Sequence, residues 1–155
     1  MQLNVLENLL LPAGPQEIWR LLRDTQRLAG LLPGVESVTP VANASGEAYA
    51  AKVAERVGPF KITMNLEIQM TEMVEDKLLK ASVRGGDSVG LNRVTGTIQA
   101  ALVPAEGGTQ MRFEAAVEVL GKMAALGAPV VRRRTTDLFA EFARRIQGQF
   151  TKAAS

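Results

Sequence analysis

Residues 60–71 read Phe-Lys-Ile-Thr-Met-Asn-Leu-Glu-Ile-Gln-Met-Thr. Phe60, Ile62, Met64, Leu66, Ile68 and Met70 alternate with Lys61, Thr63, Asn65, Glu67, Gln69 and Thr71. A strict period of two predicts a half-buried antiparallel strand with one wet face. Upstream, 35–43 and 46–57 read as a hairpin around Asn43-Ala44-Ser45-Gly46, and Gly58-Pro59 breaks the run. Downstream, Glu75-Asp76 turns the chain into 77–86, where Leu79, Ala81 and Val83 point inward. A glycine-rich loop, Gly85 to Asn92, leads to 92–103, which places Val94, Gly96, Ile98, Ala100 and Leu102 on one side. After a turn at Pro104 to Gly108, residues 109–120 repeat the scheme with Met111, Phe113, Ala115, Val117 and Val119. Six strands with short connections should pair in sequence as a meander.

The flanks complete the pattern. Residues 2–11 read as a further strand, ended by Pro12. Pro15 opens a helix over 15–23, with Ile18, Trp19, Leu21 and Leu22 on one broad face. Asp24 or Thr25 can cap a short helix over 25–32. Residues 121–150 return to helical spacing, with Met123, Leu126, Val130, Leu138, Phe142 and Ile146 near one stripe. Gly127-Ala128-Pro129 predicts a kink or break there. This last helix is the only element with enough apolar length to cover the sheet. The expectation is therefore an α+β fold: a curved seven-stranded antiparallel sheet around a long C-terminal helix, with two short helices after the first strand. Residues 1–150 form one domain and 151–155 a short tail.

Composition narrows the chemistry. The chain has 155 residues, 46% of them hydrophobic, and neither Cys nor His. That removes disulfides, thiolate nucleophiles, His-ligated metal sites and imidazole acid–base catalysis. The opening residues lack a secretory signal, and no apolar run approaches the ~20 residues of a membrane span, so a cytoplasmic location is expected. Residues 121–155 hold seven basic and two acidic residues, which polarises the chain toward a basic C-terminal end. Nucleic acid is a poor partner, because there is no stacking platform and no recognition motif.

Small inward residues (Ala51, Ala81, Gly96, Ala100, Ala115) face a helix segment that opens with Gly121, Ala124, Ala125, Gly127 and Ala128. They either allow close packing or leave an apolar pocket. The candidate lining is Tyr49, Val53, Glu55, Met64, Leu66, Ile68, Val83, Ile98, Met111, Phe113, Leu126 and Val130. Glu55 is in phase with Tyr49 and Val53, so its carboxylate points inward unless a bulge intervenes; buried, it would need a hydrogen-bonding partner. Arg132, Arg133 and Arg134 cannot share one helix face. Arg134 falls near the apolar stripe, whereas Arg132 and Arg133, with Arg144 and Arg145, are candidates for docking a membrane or an acidic partner.

Three phrases carry a family resemblance: Leu-Leu-Pro-Gly-Val-Glu (31–36), Arg-Val-Gly-Pro-Phe-Lys (56–61) and Leu-Gly-Lys-Met-Ala-Ala-Leu-Gly (120–127). In this order the chain resembles the CoxG family of carbon monoxide dehydrogenase subunits, within the START-like (SRPBCC) helix-grip superfamily, the fold shared with Bet v 1. The resemblance implies a non-catalytic accessory protein that binds an isoprenoid quinone or lipid, with no obligatory cofactor. It further implies recruitment of a molybdenum hydroxylase to the inner face of the cell membrane. The alternatives are a polyketide cyclase or dehydratase, for which Glu55 and Tyr49 are the candidate acid–base pair, and a ligand-free scaffold domain.

Overall fold

The computed structural model describes residues 1–42, 46–57, 59–87, 89–122 and 124–151. Its elements are β1 (Gln2–Leu11), α1 (Pro15–Arg23), α2 (Thr25–Leu31), β2 (Val35–Pro40), β3 (Ala48–Val57), β4 (Phe60–Val74), β5 (Leu78–Gly86), β6 (Asn92–Ala105), β7 (Gly108–Gly121), a 3₁₀ turn (Ala124–Leu126) and α3 (Ala128–Thr151). The expected turn residues 43–45, Gly58, Ser88, Met123 and the tail from 152 lie outside the described residues, as do the side chains of Val57, Phe60 and Thr151.

Seven antiparallel strands form one sheet in the order β1-β7-β6-β5-β4-β3-β2. The meander runs from β2 to β7, and β1 joins β7 in an unbroken register from Gln2↔Glu118 to Leu11↔Thr109. Together with the long α3 this is the α+β helix-grip fold. The register gathers Met1, the β3–β4 turn, the β5–β6 loop and the β7–α3 connection at one end of the sheet, the Met1 end. α1, the start of β3 and the β4–β5 and β6–β7 turns lie at the opposite end, the α1 end.

Local chemistry explains the helices. Pro15 sits in the first turn of α1, where its missing N–H has no helical partner to lose. α1 buries Ile18, Leu21 and Leu22, and Trp19 packs partly buried on the same core. Asp24 Oδ1 accepts from Arg27 N at 3.2 Å and caps α2. The anticipated interruption in the last helix is a break: Gly127 adopts φ 99° and α3 restarts at Ala128. Pro129 then falls in the first turn of α3, where it is tolerated. Within α3, the buried face defined by Phe142 and Ile146 runs back to Val131, because a four-residue stripe drifts about 40° per step. Val131, 2% exposed, takes the buried position expected of Val130, which is 44% exposed.

The core has two parts. The larger joins Leu9, Leu11, α1, Leu102, Met111, Phe142, Ile146 and Phe150 toward the α1 end. The smaller joins Leu3, Val119 and Val131 with Ile62 and Leu126 at the Met1 end. Both outcomes foreseen for the small inward residues occur, at different positions. Gly96 serves close approach: a Cβ there would lie 2.3 Å from the Ala116 carbonyl oxygen and 2.6 Å from Val117 Cα. The four alanines border open space instead.

Candidate functional site: an apolar cavity under the long helix

Between the two core clusters, the concave face of the sheet and helices α2 and α3 enclose a cavity of about 320 Å³. Its floor is the sheet: Val53 and Ala51 from β3, Leu66 and Ile68 from β4, Ala81 and Val83 from β5, Ile98 and Ala100 from β6, Met111, Phe113 and Ala115 from β7. Leu28, Ala29 and Leu32 close it beside α2, and Phe139, Phe142 and Ile146 roof it from α3. Phe113, Phe139 and Phe142 form an aromatic trio with ring centroids 5.3 to 6.4 Å apart. The trio fixes the distance between α3 and β7.

Among the described residues, Thr25 and Tyr49 are the polar side chains on the wall; Gln99 borders it from β6, but it alternates with the inward Ile98 and Ala100, so its side chain lies on the other face of the sheet. Each already has a protein partner. Gln99 Nε2 donates to Glu114 Oε2 at 3.4 Å. Tyr49 Oη donates to Glu47 Oε2 at 2.6 Å and is also hydrogen-bonded with the Thr25 side chain. Glu47 receives a two-pronged bond from Arg23, with Nη1 and Nη2 at 2.8 and 2.7 Å. Such forked pairs are among the strong hydrogen bonds. The Arg23 hydrogen bond holds the Glu47 carboxyl below the usual carboxylate range, against a smaller opposing effect of burial. The bond to Glu47 raises the Tyr49 hydroxyl above its ordinary value. The network ties the end of α1 to the start of β3, across 24 residues of sequence.

The family model for CoxG, a carbon monoxide dehydrogenase subunit, matches residues 10–151. The chain belongs to the CoxG family. Among solved structures, a conserved protein from Geobacillus kaustophilus superposes with a TM-score of 0.81 at 23% identity, over 99% of this chain and 97% of that one. A START superfamily protein from Mycobacterium smegmatis gives 0.68 at 11% identity, over 97% and 98%. The protein Ara h 8.0201 gives 0.66 at 18% identity, over 98% and 99%. At these identities the likeness is one of fold. A comparison with the curated proteins gives no match.

In this CoxG-family chain, eight of the twelve anticipated lining residues meet at the cavity: Tyr49, Val53, Leu66, Ile68, Val83, Ile98, Met111 and Phe113. Glu55, Met64, Leu126 and Val130 do not, and they share a location. All four belong to the Met1 end, where a filled layer replaces the open one. Leu126 packs on the Leu3–Val119–Val131 cluster, Met64 is buried off the cavity wall, and Val130 faces out. Glu55 points inward without a bulge, because the β3–β4 register is unbroken. Its carboxylate pairs with Arg134 of α3 rather than with the cavity. Among the described residues, Arg134 Nε has no hydrogen-bond partner.

The four arginines foreseen for docking divide. Arg132 and Arg133 are exposed on the first turns of α3 at the Met1 end. Arg144 and Arg145 lie 12 residues further on, about 18 Å along the axis, and both pair with Glu141. The α2 wall (Thr25, Leu28, Ala29, Leu32), Phe139 and the Arg23–Glu47 pair were not anticipated. Phe139 stood one residue off the expected stripe. Nothing local in the sequence marks the partnership of Arg23 with Glu47.

Among the described residues no helix is long and apolar enough to cross a membrane, and no group of acidic side chains is placed to hold a metal ion.

Proposed function

We propose that this CoxG-family chain holds a hydrophobic, quinone- or lipid-like molecule in the cavity and recruits a molybdenum hydroxylase of the carbon monoxide dehydrogenase type to the inner face of the cell membrane, without chemistry of its own. One observation carries the ligand reading: the cavity is apolar, and Tyr49 and Thr25, the polar side chains on its wall among the described residues, are engaged within the protein. A guest there gains from burying hydrocarbon and finds little to hydrogen-bond. That favours an isoprenoid or acyl chain over a polar metabolite. The family membership supports the accessory role. The cyclase reading needs Glu55 and Tyr49 as a cooperating pair. Tyr49 is turned to Glu47 and Glu55 to Arg134, on different sides of the cavity, which favours the accessory reading.

The test is detergent-free purification, organic extraction and mass spectrometry, followed by melting curves with added quinone. Bound ligand at one hundred times its Kd stabilises by about 2.7 kcal/mol. A stoichiometric isoprenoid or lipid, or a saturable rise in Tm, supports the proposal. An empty extract with no Tm response overturns it.

A further inference from the structure

We infer that the Met1 end is the face this protein lays on an anionic bilayer, an inference that rests on the membrane-recruitment reading above. Three adjoining segments meet there. The β5–β6 loop is fastened to the β7–α3 connection, because Lys122 N donates to the Leu91 carbonyl at 2.8 Å. The loop is braced from within: Leu91 N and Asn92 Nδ2 both donate to the Asp87 carboxylate at 2.7 Å. The first turn of α3 follows directly, its buried Val131 packed on Leu3 and Val119.

This end displays large aliphatic side chains with no core to join. Val89 is 72% exposed, Leu91 50%, Leu120 47% and Val130 44%. Scattered exposed aliphatics need no explanation, but a group of them on adjoining loops marks an interaction surface. Exposed Arg93, Arg132 and Arg133 stand among them. Arg93 lies directly opposite Leu120 in the β6–β7 register. Aliphatic tips with cations at their base are the arrangement that inserts shallowly into an anionic lipid surface.

Charge decides between the two ends. The α1 end also exposes aliphatics, Met73, Val74 and Val103. There they are accompanied by Glu72, Glu75, Asp76 and Glu106 against Lys77 and Lys80, the latter paired with Glu72, a balance that anionic lipid repels. Among the described residues, the Met1 end has the opposite balance, with exposed Arg93, Arg132 and Arg133 against the Asp87 carboxylate of the loop. Arg144 and Arg145, spent on Glu141 farther along α3, are outside the face.

The test uses the full chain and phosphatidylcholine vesicles with or without about 30% phosphatidylglycerol, read by co-sedimentation. Three double variants are compared: Arg132→Glu/Arg133→Glu, Val89→Ser/Leu91→Ser and, as a control, Arg144→Glu/Arg145→Glu. All six side chains are exposed or surface-paired, and melting curves check the folds. The expected result is anionic-lipid binding that falls with salt, drops at least about thirtyfold in the Arg132/Arg133 variant, thirtyfold being the effect of losing the two positive charges alone, drops clearly in the Val89/Leu91 variant and is unchanged in the control. Wild-type binding that neither test variant weakens would overturn this face while leaving membrane recruitment standing. Equal binding to neutral vesicles would overturn the charge argument. No binding to either vesicle would overturn the recruitment reading together with the face.

Discussion

Ala81→Ile distinguishes an open cavity from loosely drawn core. Ala81 is 4% exposed, pairs with Met70 and Ile98 across the sheet, and lies on the cavity wall with both. Isoleucine adds three carbon groups and favours the strand. If the space is open, those carbons leave water without strain. At about 0.8 kcal/mol per buried group the gain is about 2 kcal/mol. For a chain of this size that raises Tm by roughly 4–8 °C. The ceiling is set by the cavity itself: about 320 Å³ at about 24 cal/mol per Å³ corresponds to ~8 kcal/mol of unfilled packing. If the site is packed core, the same change overfills it and costs about 1–3 kcal/mol, so the sign reverses. The assay is calorimetry of ligand-free protein, paired with uptake of a hydrophobic fluorophore. A higher Tm with weaker uptake is expected. A lower Tm would refute the cavity reasoning.

Other outcomes follow from the same geometry. Glu47→Gln should lower Tm at pH 7, and the deficit should shrink on acidification. The Glu47 carboxyl is held low by Arg23, so its contribution is present above the unfolded carboxylate pKa of about 4.3 and is lost as pH falls through the lower native value; a pH-independent deficit would contradict it. Val131→Ala should cost about 1–3 kcal/mol in chemical denaturation, while Val130→Ala changes stability by under about 0.5 kcal/mol, because only Val131 is buried. Gly96→Ala should destabilise by more than about 2 kcal/mol, since its Cβ meets the β7 backbone rather than open space, and a near-neutral melting curve would contradict that.

The sheet was legible because its information is local. Alternation in 60–71 fixes which side faces inward, and short turns fix the neighbours. The α1–α2 pair was legible through Pro15 and Asp24. The Met1 boundary of the cavity was not, for a physical reason. Val130, Phe142 and Ile146 all lie within α3, and a stripe drawn every four residues drifts about 40° per step, so it puts Val130 where Val131 belongs. One residue is 100° of helix, enough to turn a lining residue into a surface one. Long-range polar pairing was also hidden. Glu55 was visible as an inward carboxylate and Arg134 as an arginine near the apolar stripe, yet 79 residues separate them. Their partnership depends on a packing geometry that neither segment encodes alone.

That partnership helps explain why the cavity stays open. Alanines at 51, 81, 100 and 115 would allow α3 to settle onto the sheet and remove the void, a collapse that burial would favour. The helix is held off at two places. At the α1 side of the cavity, the Phe113–Phe139–Phe142 trio and buried Ile146 and Phe150 prop it on rigid side chains. At the Met1 side, Val131 seats on Leu3 and Val119 while Arg134 spans to Glu55. A helix fixed at both ends cannot descend in the middle without bending sharply, which would strain its backbone hydrogen bonds. Removing one prop should therefore do more than delete its own contacts. Shortening Phe139, the aromatic on the cavity wall, should let α3 sink and shrink the space its ring had bordered.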